Sequence, residues 1–348
     1  MPASDGLLDL LKRLLRTHSP SGDEREIDPL ILAELSACCD DVSRDDGDNI
    51  VGVLRGVGDA PPVEILAHKD EIGLIVVAIT ESGRISVEPL GGAYPWVYGE
   101  GPVDLLGNEV VPAAMCVGSK HTTEETKAVH AAKTGALRWQ HVHLDAKLSR
   151  DELAAKGVHV GTRACVARSR KEPLLLGDHL CGYGLDDKGA VAAMLWAARL
   201  LRETGEPPPR DVFFAATTAE ETGIAGGAFV TRAHPGATCI AVDIAPLAEE
   251  YGIEDDARPV VFYKDAVFIY HMQLADELSA VAEAEGIGCQ RATFRSLGTD
   301  ASAAIKYGHV GRGGCIGFPT DNTHGYEIAR VDGIENVARL LCAYVRRA

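Results

Sequence analysis

The sequence predicts an α/β protein with a mainly parallel central sheet covered by helices on both faces, and a smaller inserted β-rich domain. Three observations lead there. Beyond residue 165, helical apolar periodicities alternate with short β-branched runs, and such alternation builds parallel strands joined by helices. Between residues 71 and 164 the texture differs: short β-branched runs broken by Gly83, Gly91, Gly92, Gly99, Gly101 and Gly107, with no long helical pattern. At 348 residues and 46% apolar composition, the chain has room for one large domain or two unequal ones. Residues 1–70 and 165–348 are therefore expected to form one discontinuous domain, and residues 71–164 the insert.

Leu7, Leu8, Leu11, Leu14 and Leu15 recur as one face of a helix, and Ile27, Leu30 and Ile31 repeat the pattern over Glu26 to Leu35. Asn49 to Leu54 and Val63 to Ala67 are short, β-rich and bounded by Gly and Pro, hence strands, with His68 at the end of the second. After the insert, Lys188 to Glu203 places Val191, Met194, Leu195, Ala198 and Leu201 on one helical face. A strand over Asp211 to Thr217, a helix over Ile224 to Arg232 and a strand over Cys239 to Asp243 follow. Helix, strand, helix, strand and helix then occupy Ala275 to Glu285, Cys289 to Phe294, Asp300 to Tyr307, Gly314 to Gly317 and Gly333 to Arg346.

Fifty-one acidic residues against thirty-four Lys and Arg give a net charge of −17, which argues against nucleic acid or an anionic membrane as a main partner, since both reward clustered positive charge. Asp5 and Asp9 interrupt the N-terminal pattern, so it lacks the order of a signal peptide. The longest apolar stretch, around Ala190 to Ala198, falls far short of the roughly 20 residues that span a bilayer. Nine cysteines, with no CxxC pair and mostly in apolar runs, read as reduced core thiols. A cytoplasmic protein is expected.

Five short segments carry the chemistry: His68 in AHKDEIG, Asp186 in GYGLDDKG, Glu220-Glu221 in TTAEETG, Asp243 in AVDIAP and His324 in TDNTHG. Together they supply two imidazoles, three carboxylates able to coordinate, and one carboxylate to spare. Two divalent cations such as zinc, cobalt or manganese accept that nitrogen and oxygen set, and a two-metal hydrolase uses the spare carboxylate as a general base. Each position also has a plainer reading. His68 can be a loop histidine paired with Asp70, Asp186 and Asp187 a helix N-cap, Glu220 and Glu221 acids at a helix start, Asp243 an arginine partner, and His324 a solvated loop residue. Placement separates the two. In open α/β sheets, ligands bind outside the carboxyl ends of the strands, and His68, Glu220-Glu221 and Asp243 all follow or close apolar strands.

Taken together, these segments resemble the M42 family of dinuclear metallo-aminopeptidases, in the wider group that includes the M20 and M28 peptidases. The resemblance covers nearly the whole chain: DGDNIVG, AHKDEIG, MCVGSK with HVHLDAKLSRDELAAKGVHVGT, GLDDKG, TAEETG, AVDIAP, LGTDA at Leu297 to Ala301, and the late histidine. It implies a zinc-peptidase-like catalytic domain in which His68 and Asp243 hold one metal, Glu221 and His324 the other, and Asp186 bridges them. Glu220 would be the general base and Asp70 would support His68. The insert would be the family's small β domain, which serves assembly into dimers and tetrahedral dodecamers or controls access. The expected substrates are short peptides with a free N-terminus. The chain departs from the family pattern at Lys69, at Lys188 and around His324. Two other readings stay open at this level: a deacylase or carboxypeptidase of the related families, and a non-catalytic assembly protein.

Overall fold

A computed structural model describes residues 5–123, 129, 130, 133 and 135–347. The chain divides into two compact units, one running up to Asp70 and resuming at Pro173, the other spanning Glu71–Glu172.

The larger unit opens with helices α1 (Asp5–Leu15) and α2 (Asp28–Cys38), then strands β1 (Asp41–Arg44), β2 (Ile50–Leu54) and β3 (Val63–His68). After the second unit it continues through β10 (Leu174–Leu176), β11 (His179–Gly182), α5 (Leu185–Glu203), β12 (Val212–Thr217), α6 (Ala225–Val230), β13 (Thr238–Pro246), β14 (Val260–Lys264), α7 (Met272–Ala284), β15 (Gln290–Thr293), α8 (Asp300–Lys306), β16 (Arg312–Asp321), β17 (Glu327–Arg330) and α9 (Val331–Arg347). Eleven strands form one sheet in the order β1-β2-β12-β3-β13-β16-β17-β11-β10, with β14 pairing β15 and β16.

The fold is mixed α/β, and the expectation of a mainly parallel sheet needs correction. The central run β12-β3-β13-β16 is parallel, as is the β14–β15 pair. The flanks are antiparallel: β1 to β2, β2 to β12, β16 to β17, β17 to β11, β11 to β10, and β14 to β16. Connection length explains three of the antiparallel pairs. Strands separated by a helix can cross over and run parallel, whereas β1–β2, β10–β11 and β16–β17 are joined by short turns that force antiparallel pairing.

Helices cover both faces. On one, Leu7, Leu11, Leu14 and Leu15 of α1 pack with Ile31 and Leu35 of α2, nearly all of α5 and the apolar stripe of α9, against Ile65, Ile240, Val242 and Ile316 of the sheet. On the other, Val230 of α6 and Ala301 and Ala304 of α8 pack on Leu66, Ala215, Cys239 and Ala241. Neighbouring β13 residues thus serve opposite cores, as strand alternation requires. Helix α5 is buried almost throughout from Leu185 to Leu195, which its small, apolar composition permits.

The second unit contains β4 (Gly73–Ile79), β5 (Ile85–Leu90), helix α3 (Pro95–Tyr98), β6 (Gly101–Leu106), β7 (Val110–Cys116), β8 (His143–Asp145), helix α4 (Arg150–Ala155) and β9 (Arg163–Val166). Its six strands close into a barrel in the order β4-β5-β8-β7-β6-β9. Closure needs β9, which pairs with both β4 and β6, so the barrel runs past the 164/165 boundary expected from the sequence. A buried ion pair between Lys171 and Glu71, 2.5 Å apart, joins the two ends of this unit. Among the described residues no helix is long and apolar enough to cross a membrane.

Candidate metal centre

The centre is assembled where the parallel strands end. β12 and β3 run in register to Thr217 opposite His68, so His68 emerges at the strand end, and Glu220 and Glu221 three and four residues beyond Thr217. β13 runs on to Pro246 but pairs with β3 only as far as Ala241 opposite Leu66. Asp243 therefore lies where β13 has lost its β3 neighbour, which opens room beside a carboxylate that is only 7% exposed.

His68 is held by its own strand and by the carbonyl of Asp70, 3.1 Å from Nδ1; the Asp70 carboxylate is farther from Nδ1, at 3.5 Å. Donation from Nδ1 leaves Nε2 with a free lone pair. Nε2 lies 3.2 Å from Asp186 Oδ1 and 4.0 Å from both Asp187 Oδ2 and Glu220 Oε2. Asp186 and Asp187, joined by a cis peptide bond, precede the regular turns of α5 with non-helical φ/ψ, and their carboxylates face His68, His324 and the His68 N–H. The second oxygen of Asp186 points elsewhere: Oδ2 is 3.3 Å from His324 Nε2, which is itself 3.5 Å from Glu221 Oε2.

Two sets of potential ligand atoms result, each gathered within 4.8 Å: His68, Asp186, Asp187 and Asp243 in one, Asp186, Glu221 and His324 in the other. Asp186 belongs to both. All five residues expected from the sequence as metal ligands are thus brought together, with Glu220 beside them.

The loop bearing Glu220 and Glu221 is pinned from several sides. Thr217 Oγ1 donates to Asp300 at 2.5 Å, the Thr218 N–H to Asn49 Oδ1 at 3.1 Å, and the Thr218 hydroxyl to Glu24. The N–H groups of Glu220 and Glu221 donate to the Asp70 carboxylate at 3.1 and 3.3 Å, and Ser21 Oγ donates to the same group at 2.6 Å. Asp70 thus supports the loop as much as the imidazole. Gly226 closes the loop with its N–H on Thr218 O, and a Cβ there would lie 2.3 Å from that oxygen, so only glycine fits. Ala219 and Ile224, flanking the loop, have φ of 54° and 59°, left-handed values that a β-branched residue adopts only when its surroundings impose them.

His324 lies in the turn between β16 and β17, also left-handed at φ 58°. Its N–H donates to Glu327 Oε1 at 3.0 Å, and the other oxygen of Glu327 accepts the N–H of Asp186 at 3.0 Å.

Without cations, this much negative charge is poorly tolerated. Burial, together with neighbouring carboxylates, pushes Asp187, Glu220 and Asp243 well above the usual carboxyl range, and burial with the nearby Asp186 takes Glu221 to about 8. Burial opposes charge on the histidines too, but the surrounding acids override it, raising His68 well above its ordinary value and His324 to about 10. Asp186 alone is held low, because contacts with both histidines outweigh its burial. Asp187 Oδ1 and Glu221 Oε1 are buried without any hydrogen-bond partner. Unsatisfied oxygens, clustered acids and two converging imidazole nitrogens fit divalent cations, which would supply the missing positive charge.

Several residues here escape sequence reasoning. Asp187 reads as a shared helix cap. Glu24, Asn49, Asp300 and Glu327 reach the centre only through tertiary contacts, and of these only Asp300 (in LGTDA) and Asn49 (in DGDNIVG) fall in segments that attract notice.

The M42 glutamyl aminopeptidase family model matches residues 48–340. A protein of Acetivibrio thermocellus named as an aminopeptidase is 26% identical over 344 residues, covering 97% of this chain and 98% of its own. The lysyl aminopeptidase of Pyrococcus furiosus is 27% identical over 240 residues, covering 68% of this chain and 66% of its own. Two solved structures share the fold. The aminopeptidase of the archaeon Desulfurococcus kamchatkensis has a TM-score of 0.86 at 24% identity, over 99% of this chain and 95% of that one. The Pyrococcus horikoshii TET1 peptidase, which can assemble into a tetrahedron or a large octahedral shell, has a TM-score of 0.87 at 23% identity, over 98% of this chain and 100% of that one. With a family match over most of its length and aminopeptidases as its relatives, the chain belongs to the M42 glutamyl aminopeptidase family and is a peptide hydrolase.

Proposed function

We propose that the protein is an aminopeptidase that removes the N-terminal residue of short peptides with two divalent cations and a glutamate base. The observation that carries this reading is the pair of ligand sets sharing Asp186. His68, Asp186 and Asp243 would hold one cation, and Asp186, Glu221 and His324 the other. Asp187, whose Oδ2 already accepts the His68 N–H at 3.2 Å, serves as support. When bound, the cations supply Lewis acidity to a water and to the scissile carbonyl. Glu220 is left over from coordination. Its carboxylate takes the proton of the attacking water and returns it to the departing amine, while Asp70 keeps the Glu220-Glu221 backbone in place.

The nitrogen and oxygen donor set suits zinc, with cobalt or manganese as alternatives. The naming of the relatives as aminopeptidases supports restriction to a free N-terminus. A homo-oligomer, from a dimer to a dodecamer, is supported by the assembly of the TET1 peptidase, with the barrel unit as the candidate for assembly or access. The net charge of −17 supports a surface that binds neither nucleic acid nor membrane, and the run of buried cysteines, Cys38, Cys165, Cys181, Cys239 and Cys315, supports a reducing, cytoplasmic setting.

The test is to strip the protein with a chelator, restore zinc, cobalt or manganese separately, and assay amino-acid nitroanilides beside N-acyl amino acids. Cleavage of the free-amine nitroanilides alone supports the reading. Cleavage of the N-acyl substrates alone would make the protein a deacylase or carboxypeptidase.

A further inference from the structure

The two cation sites are supported in different ways. The His68 side rests on regular structure: His68 ends a strand paired on both sides, and Asp243 lies within another. The His324 side has no such frame. His324 projects from a turn, in a left-handed conformation that is strained for a non-glycine residue, and Asp186 sits in a non-helical stretch between β11 and the body of α5.

One side chain spans both weak points. Glu327 opens β17 opposite Gly182 of β11, is 1% exposed, and divides its two oxygens between the N–H of Asp186 and the N–H of His324, each at 3.0 Å. A buried carboxylate is costly unless its oxygens are satisfied, and here both are satisfied by the backbone of candidate ligands, His324 in the adjacent turn and Asp186 in a distant segment. The geometry points to Glu327 as a positioning residue that holds the Asp186–Glu221–His324 site, so that losing it turns a two-cation centre into a one-cation centre. This rests on the two-cation reading above.

Glutamine keeps the size of the side chain but offers one carbonyl in place of two acceptors, and its NH2 group would face an N–H. The measurement is cation content and affinity, by mass spectrometry after equilibration in zinc buffers, for wild type, Glu327→Gln, Glu327→Asp and His324→Ala. Wild type is expected to bind two ions. In Glu327→Gln one of them should weaken by roughly 10- to 100-fold, the usual effect of losing an outer partner of a ligand, while the other stays within about threefold. Glu327→Asp keeps the charge but cannot reach both amides, so it should weaken the same ion, and it serves if the glutamine variant does not fold. Adding Glu327→Gln to His324→Ala should leave the remaining ion as it is in His324→Ala alone, which identifies the site affected. Equal weakening of both ions in Glu327→Gln, with both restored in Glu327→Asp, would reduce Glu327 to a general negative charge and overturn the inference. Two ions of unchanged affinity in Glu327→Gln overturn it as well. A wild-type chain that binds no second ion overturns the two-cation reading itself.

Discussion

Replacing Glu220 with glutamine separates the base from the ligands. Among the described residues the Glu220 side chain makes no hydrogen bond; His68 Nε2 lies 4.0 Å from its Oε2. The bonds that fix the loop run through the Glu220 and Glu221 backbone to Asp70, and through Thr217 and Thr218 to Asp300, Asn49 and Glu24, so an isosteric amide disturbs none of them. The cations should therefore stay. The loss is confined to proton transfer, which general-base catalysis supplies at roughly 10²- to 10⁴-fold, equivalent to about 2.7–5.4 kcal/mol of barrier at 1.36 kcal/mol per decade. That fall should appear in kcat with KM little changed, because the interaction is made only in the transition state. Steady-state kinetics on a nitroanilide, paired with cation content, reads both quantities. Activity within tenfold of wild type at full cation content would show that another group is the base. Loss of a cation together with turnover would make Glu220 a ligand and undo its separation from Glu221.

Asp186→Ala should behave differently, since both ligand sets share that residue: cation content and turnover fall together, and the variant binds at most one ion weakly. Glu64, 1% exposed and bonded to His234 at 2.7 Å with its second oxygen unpartnered, has a carboxyl raised by burial. A raised folded-state value means that the group's stabilising contribution is full below its unfolded value and is lost as pH climbs through the folded one, so the stability of Glu64→Gln relative to wild type should rise from pH 4 to pH 7 in urea titrations; a flat difference would refute this. Gly189→Ala would place a Cβ 2.5 Å from Cζ of the fully buried Phe318, and overpacking of that kind should cost about 1–3 kcal/mol by denaturant titration.

Much of this architecture is legible from local pattern. The Leu7 to Leu15 stripe, the apolar runs of β3 and β12, and the Lys188 to Glu203 periodicity each report a face that must be buried, and burial is what the sequence encodes most directly. The edge of the sheet is less legible. Leu174–Leu176 is an exposed strand at its rim, and His179–Gly182 and Glu327–Arg330 are four residues each, too short for alternation to show. That is why the sheet reads as more parallel than it is. The centre divides along the same line. His68, Glu220 and Glu221 stand out because apolar strands deliver them, and Asp243 because a charge inside an apolar strand needs a reason. Asp187 accepts the His68 amide and Glu327 the Asp186 amide, each from a distant segment, and no periodicity records that.

The ends of the barrel unit, tied by Lys171 and Glu71, bear on the order in which the molecule takes shape during synthesis. β3 is made early, yet its sheet partners are β12 and β13, which leave the ribosome long afterwards. Every strand of the barrel, by contrast, pairs only with strands made between Glu71 and Glu172. The barrel can therefore close while the first seventy residues still wait for the rest of their sheet, and His68 and Asp70 spend that interval with neither the loop nor the ligands they will later meet.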